Sequence, residues 1–296
     1  MTMNVGVIGL GAMGLGMAKS LRRKGFNLYV FDVRASIAEA FVQEGGNQCA
    51  TAAELAAKCD VVVSVVVNAL QTEQVLFGDE GCFNAMRLGS VFVMCSTVDP
   101  GWSQRMEERL AEKHVHYIDA PISGGAAKAE SGHMTMMTSA KPQAYVLAQP
   151  VLDAMASNVY LLGDRAGAGS KVKIINQLLA GVHIAAAAEA MALGLREGVD
   201  PEKLYEVITH SAGNSWMFEN RMAHVLAADY TPLSTVDIFV KDLGLVLDLA
   251  RSSKFPLPLS STAHQMFMQA STGGFSAEDD SAVIKIFPGI KLPSIK

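Results

Sequence analysis

Between Asp60 and Asn68 the chain reads Val-Val-Val-Ser-Val-Val-Val. A run that is β-branched and apolar at consecutive positions has no polar face to offer to water. It suits a strand covered on both sides, at the centre of a parallel sheet. Parallel neighbours cannot be joined by tight hairpins and need a longer crossover, usually a helix. The flanking sequence supplies that alternation. Residues 5–8, 28–31, 91–94, 115–118, 134–137 and 159–162 are short apolar runs, while 13–24 and 100–113 carry helical periodicity, the second with Pro100 near its start. Thr51-x-x-Glu54 is a capping-box pattern that opens a short helix. These features predict an α/β domain with a doubly wound sheet.

The pattern changes after the break at Gly167-Ala168-Gly169. Residues 170–196 contain no proline and are dominated by alanine and leucine, as in one long helix. Further helices are expected at 201–211, 215–227, 236–253, 259–270 and 277–286, with no strand among them and a loose tail at 288–296. The length of 296 residues suits two domains. The expected division is a dinucleotide-binding α/β domain over 1–165 and an all-helical domain for substrate and oligomerisation over 166–296.

Composition excludes several classes. Half the residues are hydrophobic and 18% are charged, which excludes a disordered chain. A net charge of -5 provides no basic field for nucleic acid, although a local pocket can still be positive. The four cysteines, Cys49, Cys59, Cys82 and Cys95, form no C-x-x-C pair and read as small buried hydrophobes in a reducing compartment. His114 and His116 lie close together but have no third ligand in view, so no metal is expected. No Lys or Arg precedes the first apolar stretch, so no signal peptide is expected. Residues 185–192 include Glu189 and are too few for a membrane span. A cytoplasmic protein that avoids membranes is the expectation.

Gly9-Leu10-Gly11-Ala12-Met13-Gly14 fits G-x-G-x-x-G, after a predicted strand and opening a predicted helix. The first glycine permits a tight turn, the second lets a pyrophosphate approach the backbone, and the third allows close packing of helix on strand. The helix N-terminus adds unpaired N–H groups and partial positive charge. An ordinary glycine-rich turn is the plain alternative. Asp32 ends the next strand, where an acid grips the adenosine ribose diol and repels the 2′-phosphate of NADP. Arg34 works in the opposite sense. The balance favours NAD in a Rossmann-type domain.

Four motifs then occur in order. Gly9-Leu10-Gly11-Ala12-Met13-Gly14 continues as Leu15-Gly16-Met17-Ala18. Asp119-Ala120-Pro121-Ile122-Ser123-Gly124-Gly125 follows, then Gly167-Ala168-Gly169-Ser170-Lys171-Val172-Lys173-Ile174-Ile175-Asn176, and last Lys241-Asp242-Leu243. Over nearly the whole chain this resembles the β-hydroxyacid (3-hydroxyisobutyrate-type) dehydrogenase family, and within it most resembles the branch acting on L-threonate. The resemblance implies roles by position. Lys173 corresponds to the catalytic lysine, and Asn176 to its helical partner near the substrate. Ser123, Gly124 and Gly125 correspond to the loop that holds the substrate carboxylate. Val66, Val67 and Thr97 correspond to the cofactor groove, and Lys241 to a residue beside the nicotinamide. The family often has Leu-Pro at Val66-Val67, and usually Asn where Ser20 and Gln177 stand.

The chemistry agrees with these assignments. Oxidising a secondary alcohol sends a hydride to the nicotinamide and a proton to a base. Lys173 can accept that proton, and return it in reverse, if burial or nearby cations such as Lys171 and Lys241 favour its neutral form. Lys173 and Asn176 are three apart and share a helix face. Lys171 faces elsewhere and reads as solvated. Ser123-Gly124-Gly125 can form an anion-binding nest, or be an ordinary turn after a strand. Lys241-Asp242, without the resemblance, is a solvated pair. Asn214, Trp216 and Phe239 are pocket candidates that equally suit a cap or a core. Long exposed apolar helices suit subunit contact, so a homodimer or homotetramer is expected.

The expected activity is therefore an NAD-dependent dehydrogenation of a small hydroxy acid. L-threonate is the first choice by resemblance, oxidised at C2 and not at the β-position usual in the family. The alternatives are an NAD(P)H-dependent reductase of a small aldehyde acid (tartronate semialdehyde, glyoxylate or succinic semialdehyde) and a nucleotide-sensing protein without turnover. A sensor has no need of Ser123, Lys173 and Asn176. An imine reductase shares the fold but usually lacks the lysine.

Overall fold

The computed structural model describes residues 3–294. Six parallel strands form one sheet: β1 (Asn4–Ile8), β2 (Asn27–Phe31), β3 (Asn47–Gln48), β4 (Val61–Ser64), β5 (Val91–Met94) and β6 (His116–Asp119), in the order β3-β2-β1-β4-β5-β6. The strand order reverses between β1 and β4, as in a doubly wound Rossmann sheet, and such a reversal opens a crevice at the carboxyl ends of the strands. The valine run explains the centre. Val61 and Val63 join one core with Val5, Val7, Val91 and Val93, while Val62 joins the opposite core with Phe92 and Met94. Both faces are dry because side chains alternate across a strand, and each fully buried Val or Leu is worth roughly 1.5–3 kcal/mol. The strand ends at Ser64, so Val65, Val66 and Val67 of the apolar run form the loop that leaves it.

The helices of this unit are α1 (Ala12–Arg23), α2 (Ala35–Gln43), α3 (Ala52–Lys58), α4 (Ala69–Phe77), α5 (Pro100–Ala111), α6 (Gly125–Ser131) and α7 (Pro142–Met155). Thr51 caps α3 by accepting from Glu54 N at 3.0 Å, but the reciprocal bond from the Glu54 carboxylate reaches the N–H of Ala50, not that of Thr51. Residues 134–137 and 159–162 do not extend the main sheet. They belong to a second sheet, β7 (Ile122–Ser123), β8 (Met134–Thr138) and β9 (Ala156–Leu161), with β7–β8 antiparallel and β8–β9 parallel. Pro121 follows β6 and has no N–H to continue a ladder, and the isolated bridge Asp119–Ser139 links the two sheets.

Two compact units divide within the next helix, the first running up to Lys173 and the second from Ile174. That helix, α8 (Ala168–Arg196), is long and apolar enough to cross a membrane by length and composition, and half of its apolar stretch is buried inside the protein. The second unit continues with α9 (Pro201–Thr209), α10 (Trp216–Ala227), α11 (Val236–Ser253) and α12 (Pro258–Ala270). Residues 277–286 are not an α-helix. A π-turn occupies Ser271–Phe275 and a 3₁₀ segment Asp280–Ile286, started by Asp279, whose carboxylate accepts from Ser281 N at 3.1 Å. Arg221 on α10 holds this segment through a bidentate pair with buried Asp280. The expected loose tail is partly packed: Ile290 and Leu292 lie against the helical core, and the Gly289 carbonyl accepts from Arg196 Nη1 at 3.0 Å. Residues 295 and 296 of that tail lie outside the described residues. The four cysteines are free and buried.

Candidate functional site

Four strand ends build the first part of the site. At the end of β1 the chain turns through Gly9, with φ +91°, and a Cβ there would stand 2.6 Å from the Val65 carbonyl oxygen. Gly14 lies where α1 meets the turn, and a Cβ on it would fall 1.8 Å from the Gly9 oxygen. Nothing lies within 4 Å of a Cβ built on Gly11. No side chain among the described residues caps α1, and its first turn holds no acid. The first N–H groups of a helix have no intrahelical acceptor, so Ala12 and Met13 present theirs at an open, electropositive end.

Asp32 stands beside this loop at the end of β2. Its Oδ2 accepts from Leu10 N at 2.7 Å, and its Oδ1 accepts from Arg34 N at 2.9 Å and Arg34 Nε at 3.2 Å. Burial pushes this carboxyl up, but the bonds from Arg34 and Leu10 outweigh it and hold it below the usual carboxylate range. Val66 and Val67 line the exit from β4. The Val66 carbonyl accepts from Ser96 Oγ at 2.7 Å, which places Thr97, half-buried at the end of β5, beside the same crevice. The structure thus gathers Gly9, Leu10, Gly11, Ala12, Met13, Gly14, Asp32, Val66, Val67 and Thr97 at one end of the sheet.

The second part follows β6. Ser123 closes β7, Gly124 precedes α6 with φ +141°, and Gly125 begins it with φ +77°. Both backbone conformations favour glycine. Asp119, at the end of β6, is fully buried and accepts from Gly167 N and Ser170 N, each at 2.9 Å, and from Ser170 Oγ at 2.7 Å. Lys173 follows on α8 and is 7% exposed, whereas Lys171 faces water.

In the helical unit, Asn176 is half-buried and donates from Nδ2 to Gln177 Oε1 at 3.1 Å. Gln177 is buried and donates from Nε2 to Asp242 Oδ2 at 2.6 Å. Lys241 Nζ donates to the other oxygen, Oδ1, at 2.6 Å. Asp242 is 2% exposed, so Lys241-Asp242 is no solvated pair. Asn176 and Lys241 are the two ends of one hydrogen-bonded chain. Phe239 is a core residue stacked on Phe267 at 5.1 Å, Trp216 is exposed at the start of α10, and Asn214 Nδ2 donates to the Thr209 carbonyl at 3.1 Å. Among the described residues no group of three or more His, Cys, Asp or Glu is placed to hold a metal ion.

Residues 4–163 match the profile described as the NAD binding domain of 6-phosphogluconate dehydrogenase, and residues 167–287 match that described as the NAD-binding of NADP-dependent 3-hydroxyisobutyrate dehydrogenase. An L-threonate dehydrogenase of Cupriavidus necator is 66% identical, with 99% of each chain covered, and one of Pectobacterium atrosepticum is 52% identical over 99% of this chain and 96% of its own. The chain belongs to the 3-hydroxyisobutyrate-type β-hydroxyacid dehydrogenase family. A crystal structure titled 3-hydroxyisobutyrate dehydrogenase, from Salmonella typhimurium, superposes with a TM-score of 0.93 at 52% identity, covering 96% of this chain and all of that one.

As a member of this family the protein is an oxidoreductase that uses NAD and acts on a hydroxy acid. The residues present fit that cofactor. The space over Gly11 is open, the end of α1 is uncapped, and Asp32 is held as a carboxylate directly on the loop's own backbone, through Leu10 N. Gln177 and Asp242 carry hydrogen bonds in this hydroxyacid dehydrogenase that the sequence assigned to neither. Gln177 is four residues after Lys173 and, like it, buried, whereas Asn176 is only half so. Its i+4 spacing was the available signal. Asp242 lies between the buried positions Phe239, Leu243 and Val246 of α11, so helical periodicity alone marks its side as inward.

Proposed function

We propose that this enzyme oxidises L-threonate at C2 with NAD, and that Lys173 takes the hydroxyl proton. The buried position of Lys173 on α8, within the unit that also carries the Ser123-Gly124-Gly125 turn, is the observation that carries the mechanism. NAD, when bound, supplies the acceptor for the C2 hydride. The N–H groups at the start of α1 would hold its pyrophosphate, Asp32 its adenosine ribose, and Val66, Val67, Thr97 and Lys241 would contribute the remaining cofactor contacts. Ser123 Oγ and the backbone N–H groups of Gly124 and Gly125 take the substrate carboxylate, and Asn176 orients the acid. As the C2 hydrogen leaves with its electron pair, the Nζ of Lys173 accepts the proton of the C2 hydroxyl. The reverse reaction returns that proton to the carbonyl oxygen. Beyond the Ser123-Gly124-Gly125 turn and Lys241, cofactor binding is assigned to 1–165, and substrate recognition and subunit contact to 166–296.

The relatives named L-threonate dehydrogenase at 66% and 52% identity support the substrate. The Salmonella protein, 52% identical and named a 3-hydroxyisobutyrate dehydrogenase, favours a second reading on that acid. C3–C5 hydroxy acids assayed with NAD, followed by absorbance of the reduced cofactor, separate them. The highest kcat/KM is expected for L-threonate. Turnover of 3-hydroxyisobutyrate or tartronate semialdehyde far above it overturns the assignment.

NAD is expected to be preferred over NADP by at least about tenfold in kcat/KM, or roughly 1.4 kcal/mol, because the Asp32 carboxylate stays charged through the assay range. Asp32→Ala narrows the gap. Equal or better use of NADP by the unaltered enzyme contradicts this role. Gly124→Ala forces a Cβ onto a φ of +141° and to within 3.0 Å of Lys128 carbons, which shifts the turn. KM for the acid is expected to rise about tenfold or more with little change in NAD affinity, as for lost ground-state binding. Loss of NAD binding with the acid KM unchanged shows that the turn serves the cofactor.

Homodimer or homotetramer formation and a cytoplasmic location complete the proposal. Val172, Ile175, Leu179 and Leu193 are exposed on α8 at helical spacing, an apolar stripe suited to a second copy. Four free, buried cysteines suit a reducing compartment.

A further inference from the structure

Asp119 is a fully buried carboxylate to which the mechanism above gives no task. Its Oδ2 accepts from Gly167 N and Ser170 N, both at 2.9 Å, and from Ser139 Oγ at 3.3 Å, while its Oδ1 accepts from Ser170 Oγ at 2.7 Å. Ser139 Oγ in turn accepts from Gly169 N at 2.9 Å. The orphan donors at the start of α8 are therefore met by side chains from β6 and from the residue after β8, not by a residue of the helix's own approach. Gly167 has no side chain to offer, and the first turn of α8 holds no acid. The helix is also pressed onto the strands: a Cβ on Gly169 would fall 2.3 Å from the Met137 carbonyl oxygen. The backbone of Asp119 is itself held, exchanging bonds of 3.1 and 2.9 Å with Ser139. Two short paths leave Asp119. One runs along the chain to Ser123, and the other crosses to Ser170 and one turn of helix to Lys173.

We propose that Asp119 is a positioning residue, fixing where α8 begins and so holding the Lys173 amine in place relative to the Ser123-Gly124-Gly125 turn. This rests on the reading of Lys173 as the proton acceptor. A buried carboxylate with three strong donors is a rigid anchor, since any movement leaves a buried N–H unpaired. It also complements the positive end of the helix. Rigidity matters because a misplacement of about 1 Å can cost roughly 100-fold in rate.

Four variants test it, with kcat, KM for the acid, NAD affinity and Tm measured on each. Asp119→Ala removes the anchor, and kcat is expected to fall about 10–100-fold, with KM and NAD affinity within about threefold. Asp119→Asn should restore most of kcat. Its amide oxygen can accept the two backbone N–H groups, and its NH₂ can donate to Ser170 Oγ, whose hydroxyl turns round. Ser170→Ala keeps both backbone bonds and should cost about 3–10-fold in kcat, which decides the matter if Asp119→Ala does not fold. In a Lys173→Met background, Asp119→Ala should cost little more, because residues acting through one group are not additive. A folded Asp119→Ala enzyme that keeps its kcat overturns the proposal, as does a rise in KM alone, or a full further loss without Lys173. Ser170→Ala with unchanged kcat also counts against it. Failure of the underlying reading looks different: Lys173→Met itself then stays active.

Discussion

Lys173→Met is expected to lower kcat by about 10²–10⁴-fold, the usual contribution of a positioned acid–base group. Methionine has similar length and helix propensity, so α8 should form as before. The substitution removes the amine proposed to take the hydroxyl proton and leaves the Gly9–Gly14 loop and Asp32 untouched. NAD affinity, measured by fluorescence titration, should therefore persist, and Tm should change little. Lys171→Met is the internal comparison. Lys171 is exposed, and its loss should leave kcat within a small factor. A folded, NAD-binding Lys173→Met enzyme with most of its kcat refutes the lysine mechanism.

The second large effect concerns the phosphate loop. In Gly14→Ala the new methyl would lie 1.8 Å from the Gly9 oxygen, which is backbone and cannot swing aside. The start of α1 must move away from β1. Overpacking of this kind costs about 1–3 kcal/mol, and displacement of the helix N–H groups should weaken NAD binding by about 100-fold, the scale of roughly one lost charge-assisted hydrogen bond. Gly11→Ala makes the contrast. Its methyl meets nothing in the protein, so Tm should hold while NAD binding falls, because the methyl stands where the pyrophosphate must approach. If Gly14→Ala binds NAD normally at unchanged Tm, the loop does not depend on this contact. If Gly11→Ala binds NAD normally, the pyrophosphate lies elsewhere.

The site was legible in the sequence wherever a local backbone requirement left its mark on residue type. Gly9 and Gly14 announced a strand–turn–helix junction because a Cβ at either would meet backbone, while Gly11 keeps the space over the turn open. Gly124 and Gly125 did the same for the turn after β7. Lys173 was separable from Lys171 by helical phase together with its motif. Asp119 and Asp242 were quoted with their motifs and still missed, since their roles depend on partners far along the chain: Gly167 and Ser170 for one, Gln177 for the other. No spacing rule links residues 51 or 65 positions apart.

The same division holds for the fold. Sequence by itself determined the valine-rich centre of a parallel sheet, the alternation of strands and helices, and the all-helical second half, because apolar periodicity and β-branching act on neighbouring residues. Tertiary structure alone decided that β7, β8 and β9 form a sheet of their own. An apolar run such as 134–137 carries no record of which edge it will pair with, and in the structure the chain leaves the main sheet after Asp119, through Pro121, with the Asp119–Ser139 bridge as a link between the two sheets. It also decided that residues 280–286 wind as a 3₁₀ segment, tied by Arg221 to Asp280, where local pattern suggested an α-helix. And it turned Asp119 from a strand-end acid into the anchor of the helix that carries Lys173, since a buried carboxylate is defined by the donors the fold brings to it.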